Sequence, residues 1–291
     1  MGDAEEALRE PGRARESTRG GFLACLDIQA ADAALFPDAF ERIRRGELQA
    51  VIVYKVYDPG LLGGVVDRLE RHDPGFLQTW FPEKFRAWFY GRNLNLAEPA
   101  LTGYFDEAAV FDVQLASLFP AGQGLRERVA SILAALDGGR RFTAPPGPEQ
   151  GQHYMFTTLR AHLQEGYIPP HFDNEQALRP SYRHLRSLVD LHMTSFVLTL
   201  DMADEGGALQ VFDLRCEPED ALPVSDDRVR AKPDTAQLGS VSFRIPPGAM
   251  IILDSGRYLH RVSPVLGARK RWTACSFMAL SRNGDAMYCW G

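Results

Sequence analysis

From Gln152 onward the chain is cut into short apolar or alternating runs by Gly, Pro and Asp, and this rhythm constrains its fold more than any other feature. The runs are "QHYMFTTLRAHLQ", "HMTSFVLTLDM", "GGALQVFD", "SVSFRIP", "GAMIILD" and "RWTACSFMALS". Each is short, carries β-branched and aromatic residues, and is bounded by turn formers, so each reads as a strand. The first half reads differently. "DAALFPDAFERIRRGEL" has helical spacing and gives way to "QAVIVYKVY", which predicts a strand. "DPGLLGGVVDRLERHD" predicts a helix with Asp58 as N-cap and Pro59 at its first position. Further helices are expected in "YFDEAAVFDVQLASLF" and "GLRERVASILAALDGG". In the latter, Leu125, Val129, Ile132, Leu133 and Leu136 share one face and the glycine pair ends it. Helices followed by a run of strands predict an α+β chain. Helical support is expected over about residues 21–150 and an antiparallel sheet or barrel over about 151–291, in a single domain. The aromatic, Pro-rich stretch from Phe76 to Pro99 is expected to form an irregular cover, and residues 216–240, polar and Pro-rich, an inserted lid.

With 291 residues, 45% of them hydrophobic, there is ample material for a sizeable core. The net charge of -6 argues against a general nucleic-acid binder. No apolar run reaches membrane-spanning length. The cysteines (Cys25, Cys216, Cys275 and Cys289) are scattered without a CxxC pair. With no secretory leader, they read as reduced thiols of a cytoplasmic protein. Residues 1–20 mix charge with Gly and Pro and are expected to be a disordered tail.

Alternation in "QHYMFTTLRAHLQ" puts Tyr154, Phe156, Thr158, Arg160 and His162 on one strand face, and Met155, Thr157, Leu159, Ala161 and Leu163 on the other, toward the helices. The first set is too polar for an ordinary core, so it faces either solvent or an interior that holds a polar ligand. Next, "EGYIPPHFDNE" sets His171 and Asp173 one residue apart on an extended segment. Such a pair says little alone. "PPGAMIILDSGRYLHRV" adds His260 after an apolar strand and a loop. Two imidazoles and a carboxylate on one face of an octahedral ion leave three positions open, which is the ligand set of non-haem Fe(II) oxygenases.

The chain resembles the Fe(II)/2-oxoglutarate-dependent oxygenases over roughly residues 150–281. Their signature is HxD, a distal His, and a basic residue about ten positions further on; here these are His171, Asp173, His260 and Arg269. "HRVSPVLGAR" is similar to the corresponding prolyl-hydroxylase segment, and "EGGALQVFD" and "PPGAMIILD" sit where that family places comparable elements. The resemblance implies a double-stranded β-helix (a jelly-roll, cupin-like core), with Fe(II), 2-oxoglutarate and O2 as cofactors. It also implies that a guanidinium meets the far carboxylate of 2-oxoglutarate bidentately. Arg269 is preferred by spacing, Arg271 comes second, and Thr273 continues that face. Arg160 and His162 on the inner face, with Asn174 and Gln176 after the HxD, are candidate substrate contacts. His72, His153, His184 and His192 receive no role.

Related halogenases lack the triad carboxylate and so make room for a halide. Asp173 therefore favours hydroxylation of an unactivated C–H in a small polar substrate. A free L-amino acid or a derivative is expected, cyclic ones such as a proline homologue included. The alternatives are a prolyl-type peptide or protein hydroxylase and, from another class, a non-catalytic metal- or ligand-binding module on the same fold.

Overall fold

The computed structural model describes residues 6–7, 12–190, 192–216 and 234–291. The expected lid over residues 216–240 lies largely outside the described residues, of which it retains only a short 3-10 turn at Thr235–Gln237 and the start of a strand at Ser240.

Strands β1 (Arg15–Arg19), β2 (Leu23–Gln29) and β3 (Ala50–Tyr54) precede helix α1 (Pro59–Glu70). Two short strands, β4 (Gln78–Trp80) and β5 (Ala87–Tyr90), then lead to helices α2 (Tyr104–Leu118) and α3 (Leu125–Leu136). After these come β6 (Thr158–His162), β7 (Ile168–His171), β8 (Thr194–Asp201) and β9 (Leu209–Arg215). The chain continues through β10 (Ser240–Arg244), β11 (Met250–Leu253), β12 (Tyr258–Val262), β13 (Arg271–Leu280) and β14 (Ala286–Trp290).

Two facing sheets result. The large one runs β1-β2-β3-β11-β8-β13-β6-β5-β4, with β14 on the far half of β13; the small one runs β10-β9-β12-β7. Within them, the antiparallel quartets β11-β8-β13-β6 and β10-β9-β12-β7 form the double-stranded β-helix. The chain is α+β, with helices covering the outer face of the large sheet.

Period-2 alternation decides what each side of that sheet does. Phe196, Leu198 and Leu200 of β8 and Trp272 and Ala274 of β13 join the helix-side core with Leu62, Val65, Leu69 and Leu133. The intervening Ser195, Val197, Thr199, Arg271, Thr273 and Cys275 face the barrel interior, where they line its pockets or lie buried between the sheets. The helix α1 starts where expected: Asp58 Oδ1 accepts from Gly60 N at 2.8 Å and Leu61 N at 3.2 Å, and Pro59 needs no N–H partner at the first position. On α3 the five residues of the predicted face are all buried.

Several expectations are corrected. Part of the expected tail is strand β1, an edge strand held by the Arg19–Asp27 ion pair at 2.8 Å and by Arg42–Glu16, also 2.8 Å. Its charges mark a sheet edge and not a free segment. The "irregular cover" contains β4 and β5, because Trp88, Phe89 and Tyr90 bury their rings on extending the large sheet. The strand expected from residue 152 begins at Thr158, so Tyr154 and Phe156 pack in the helix-side core and not with Arg160. The stretch 30–44 is a 3-10 turn followed by a six-residue helix. His260 follows the apolar strand and a loop as expected, and lies within β12.

Candidate metal centre

His171 ends β7 and His260 stands directly opposite it on β12 as a cross-strand pair, with ring centroids 4.3 Å apart. Asp173 opens the 3-10 turn after β7, and its backbone N–H donates to the Ser255 carbonyl at 3.0 Å. Its Oδ1 lies 3.3 Å from His171 Nε2 and 3.6 Å from His260 Nε2. One ligand atom from each of the three residues lies within 4.8 Å of the others. The three sequence-predicted ligands therefore converge.

Both imidazoles are tied back by their other nitrogen. His171 Nδ1 donates to the Pro169 carbonyl at 2.8 Å, and His260 Nδ1 to the Tyr258 carbonyl at 3.0 Å. That bond fixes the tautomer and leaves each Nε2 lone pair directed at the shared point. Burial alone would raise the Asp173 pKa, but the adjacent His260 and His171 hold it down to about 2. Burial, reinforced by His171 and opposed by Asp173, pushes His260 down to about 4. Neutral imidazoles and an ionised carboxylate are the states a divalent ion requires, and this N,N,O set fits Fe(II) with one side left open.

Behind the triad, Asp254 accepts from His192 Nε2 at 2.7 Å and from Arg257 Nη1 at 3.1 Å, while Arg257 also donates to the Ile43 and Arg44 carbonyls. This buried network braces the turn that carries Ser255. His192, assigned no role from sequence, has this structural one through long-range contact.

The triad borders a pocket of about 590 Å³ of empty space, open to solvent. Its walls are mostly apolar, with Ile168, Val197, Leu209, Ile251, Val262 and Phe277 among them. Arg160 enters this pocket, its guanidinium carbon 4.7 Å from the centre of the Phe89 ring and 5.7 Å from that of Phe81. Arg271, buried, lines a second, smaller pocket beside Thr199, Phe243 and Gly207. A Cβ at Gly207, which has φ +62°, would lie 2.9 Å from Arg271 Cδ, so only glycine leaves that side chain its course. Thr273 is fully buried next on the same strand face and accepts from Cys275 Sγ at 3.3 Å.

Arg269 is not brought to the site. It precedes β13, its side chain is 58% exposed, and its guanidinium pairs with Asp201 on the outside. His162 sits behind the two inward arginines, 0% exposed, with neither ring nitrogen partnered. Burial first, then Arg271 and Arg160, push its pKa far down, so it is neutral. Asn174 and Gln176 do not line the pocket. Asn174 Oδ1 accepts from Met193 N at 3.2 Å and packs against Gly256, where any Cβ would collide with it. Gln176 holds Arg179 at 2.8 Å. Ser195 and Asn93, absent from the predicted set, do line the pocket; no sequence motif marks them.

Residues 22–291 match the family model described as carrier-protein-independent halogenase WelO5. The chain belongs to the WelO5 family. It is thereby an Fe(II)- and 2-oxoglutarate-dependent enzyme that uses O2, with His171, Asp173 and His260 fitted to hold the iron. Its fold is found among solved oxygenases. An N-substituted L-amino acid dioxygenase from Burkholderia ambifaria AMMD, in complex with alpha-KG, superposes with TM-score 0.55 at 15% identity, over 94% of this chain and 98% of that one. A second structure under that enzyme's name and from the same organism gives 0.51 at 18% identity, over 89% and 91%. A Pseudomonas putida prolyl-4-hydroxylase gives only 0.40 at 15% identity, over 84% and 96%. At these identities the likeness is one of fold. No curated protein matches the chain. No helix among the described residues is long and apolar enough to cross a membrane.

Proposed function

We propose that this WelO5-family member hydroxylates an unactivated C–H of a small molecule, a free L-amino acid or a derivative of one, cyclic forms included. The observation that carries this reading is Asp173, an ionised carboxylate within reach of both ligand imidazoles. Halogenases of this chemistry lack that group and place a halide there. Bound iron, 2-oxoglutarate and O2 supply an oxidant through decarboxylation of the keto acid to succinate and CO2. The protein positions and shields. His171, Asp173 and His260 would hold the metal on one side. Arg271, buried between the sheets, would take the far carboxylate of 2-oxoglutarate, with Thr273 beside it. The apolar walls keep water from the reacting carbon.

Overall, one oxygen atom enters the substrate and the other enters succinate. Incubation with candidate substrates, Fe(II), 2-oxoglutarate, chloride and O2 tests the reading by mass spectrometry. The expected product is heavier by one oxygen; a chlorinated product would establish the halogenase reading that the family's description favours. Anaerobic addition of Fe(II) and 2-oxoglutarate should give the weak visible band of the chelate. No band, and no succinate on admitting air, would leave the non-catalytic binding module.

A further inference from the structure

Two guanidinia enter the barrel interior, and the keto acid can satisfy only one of them. Arg160 makes no hydrogen bond or ion pair among the described residues, and its Nε is buried without a partner. Arg271 is 8% exposed and likewise has no carboxylate partner among them. Asp173 is the one carboxylate side chain lining the triad's pocket among the described residues, and the metal claims it. Arg244, at the barrel rim, already donates to the Ala203 and Asp204 carbonyls.

Fe(II) with Asp173 leaves one positive charge, and the two arginines add two more. The 2-oxoglutarate dianion cancels two of the three, and neutral His162 changes nothing. One positive charge, at Arg160, then has no counter-charge among the described side chains and these ligands, and its Nε is buried without a partner. An anionic substrate would supply both, and the substrate is the ligand still to be placed.

The two arginines are not equivalent. Arg271 is the more deeply buried and stands beside Gly207, Phe243 and Ile245, away from the triad. Arg160 is half-buried in the triad's own pocket, stacked on Phe89 and the half-buried Phe81. The deeper cation suits the co-substrate that chelates the metal, and the more accessible one suits the ligand that arrives afterwards. Among the described residues the pocket offers no second carboxylate side chain to receive an ammonium group, and its walls are mostly aliphatic or aromatic.

On the oxygenase reading above, we propose that Arg160 holds a carboxylate of the substrate, and that the substrate is an apolar carboxylic acid whose amine, where it has one, is acylated or otherwise uncharged. This narrows the amino-acid class to its N-masked members and removes the zwitterions.

Two measurements test it. In the first, Fe(II)-loaded protein is titrated anaerobically with 2-oxoglutarate alone, following the visible chelate band. Arg160→Met should bind the keto acid within about twofold of the unmodified protein, whereas Arg271→Met should weaken it by about tenfold or more. In the second, succinate formation is measured with N-acetyl-L-leucine, N-acetyl-L-proline, their methyl esters, and free L-leucine and L-proline. At least one of the two acids should stimulate succinate, with esters and free amino acids weaker by about tenfold or more. Arg160→Met should raise that acid's half-saturating concentration by a similar factor. The proposal is overturned if esters or zwitterions work as well as the acids, if neither acid stimulates, or if Arg160→Met weakens 2-oxoglutarate as Arg271→Met does. If the unmodified protein gives no chelate band, the underlying oxygenase reading has failed instead.

Discussion

At His260 and Asp173, burial and neighbouring charge act against each other, and the balance sets how the site responds to pH. The folded pKa of His260 is about 4, with burial its largest cause, against roughly 6.5 in an unfolded chain. Between those values the unfolded state binds the proton and the folded state does not, so stability falls as pH drops from about 6.5 toward 4. The Asp173 carboxyl, held down to about 2, contributes stability above the unfolded value near 4 that is lost only as pH falls toward 2. The metal-free protein is therefore expected to lose on the order of 3 kcal/mol through His260 across the first window. Urea unfolding at pH 7 and pH 4.5 checks this: His260→Gln should lose clearly less stability over that interval than the unmodified chain, and equal losses would contradict the assignment. Asp173→Ala removes one donor of three, and hydroxylated product should fall by at least about a hundredfold, with the circular dichroism spectrum retained. Both ligands of the HxD pair and the distal histidine were readable in the sequence because each residue type has few other reasons to recur in that order around an apolar strand.

At the level of elements, the start of β13 separates two arginines that the sequence treats alike. Arg269 and Arg271 are two apart, so an uninterrupted strand would turn both inward. The strand begins at Arg271, however, and the turn at Gly267, with φ +90°, carries Arg269 out to Asp201 and Asp204. Counting from His260 could not reveal where the pleat starts. Arg269→Ala should consequently leave 2-oxoglutarate affinity within about twofold, since exposed ion pairs contribute little, while Arg271→Met raises its dissociation constant; the anaerobic chelate titration compares them directly. The same limit explains the hairpin of β4 and β5, where Pro82 in its turn and Asn93 and Asn95 just after it hid a strand signal carried by aromatic residues. Where local chemistry dominates, the reading was sharper. Asp58 caps α1 through its own side chain, and Asp58→Ala should cost about 1 kcal/mol in urea unfolding without altering activity.

Across the whole molecule, the strand inventory of the second half was legible, but the pairing of the sheets was not. The small sheet joins β7, β12, β9 and β10 from segments far apart in sequence, and no local pattern encodes which strands become neighbours. The metal site spans that non-local assembly: His171 and Asp173 arrive with β7, His260 with β12, and Asp173 is also tied to Ser255 before β12. An unfolded chain holds no such constellation, so a divalent ion must favour the folded state. At a hundredfold excess over its dissociation constant the ion is worth about 2.7 kcal/mol, which at roughly 2 °C per kcal/mol for a domain of this size raises the melting temperature by about 5 °C. Differential scanning fluorimetry with anaerobic Fe(II), or Mn(II) in its place, should show that rise. Chelator should reverse it, and His260→Gln should abolish it. A shift of unchanged size in His260→Gln would mean that the ion binds elsewhere and that the cross-strand pair of imidazoles is not what holds it.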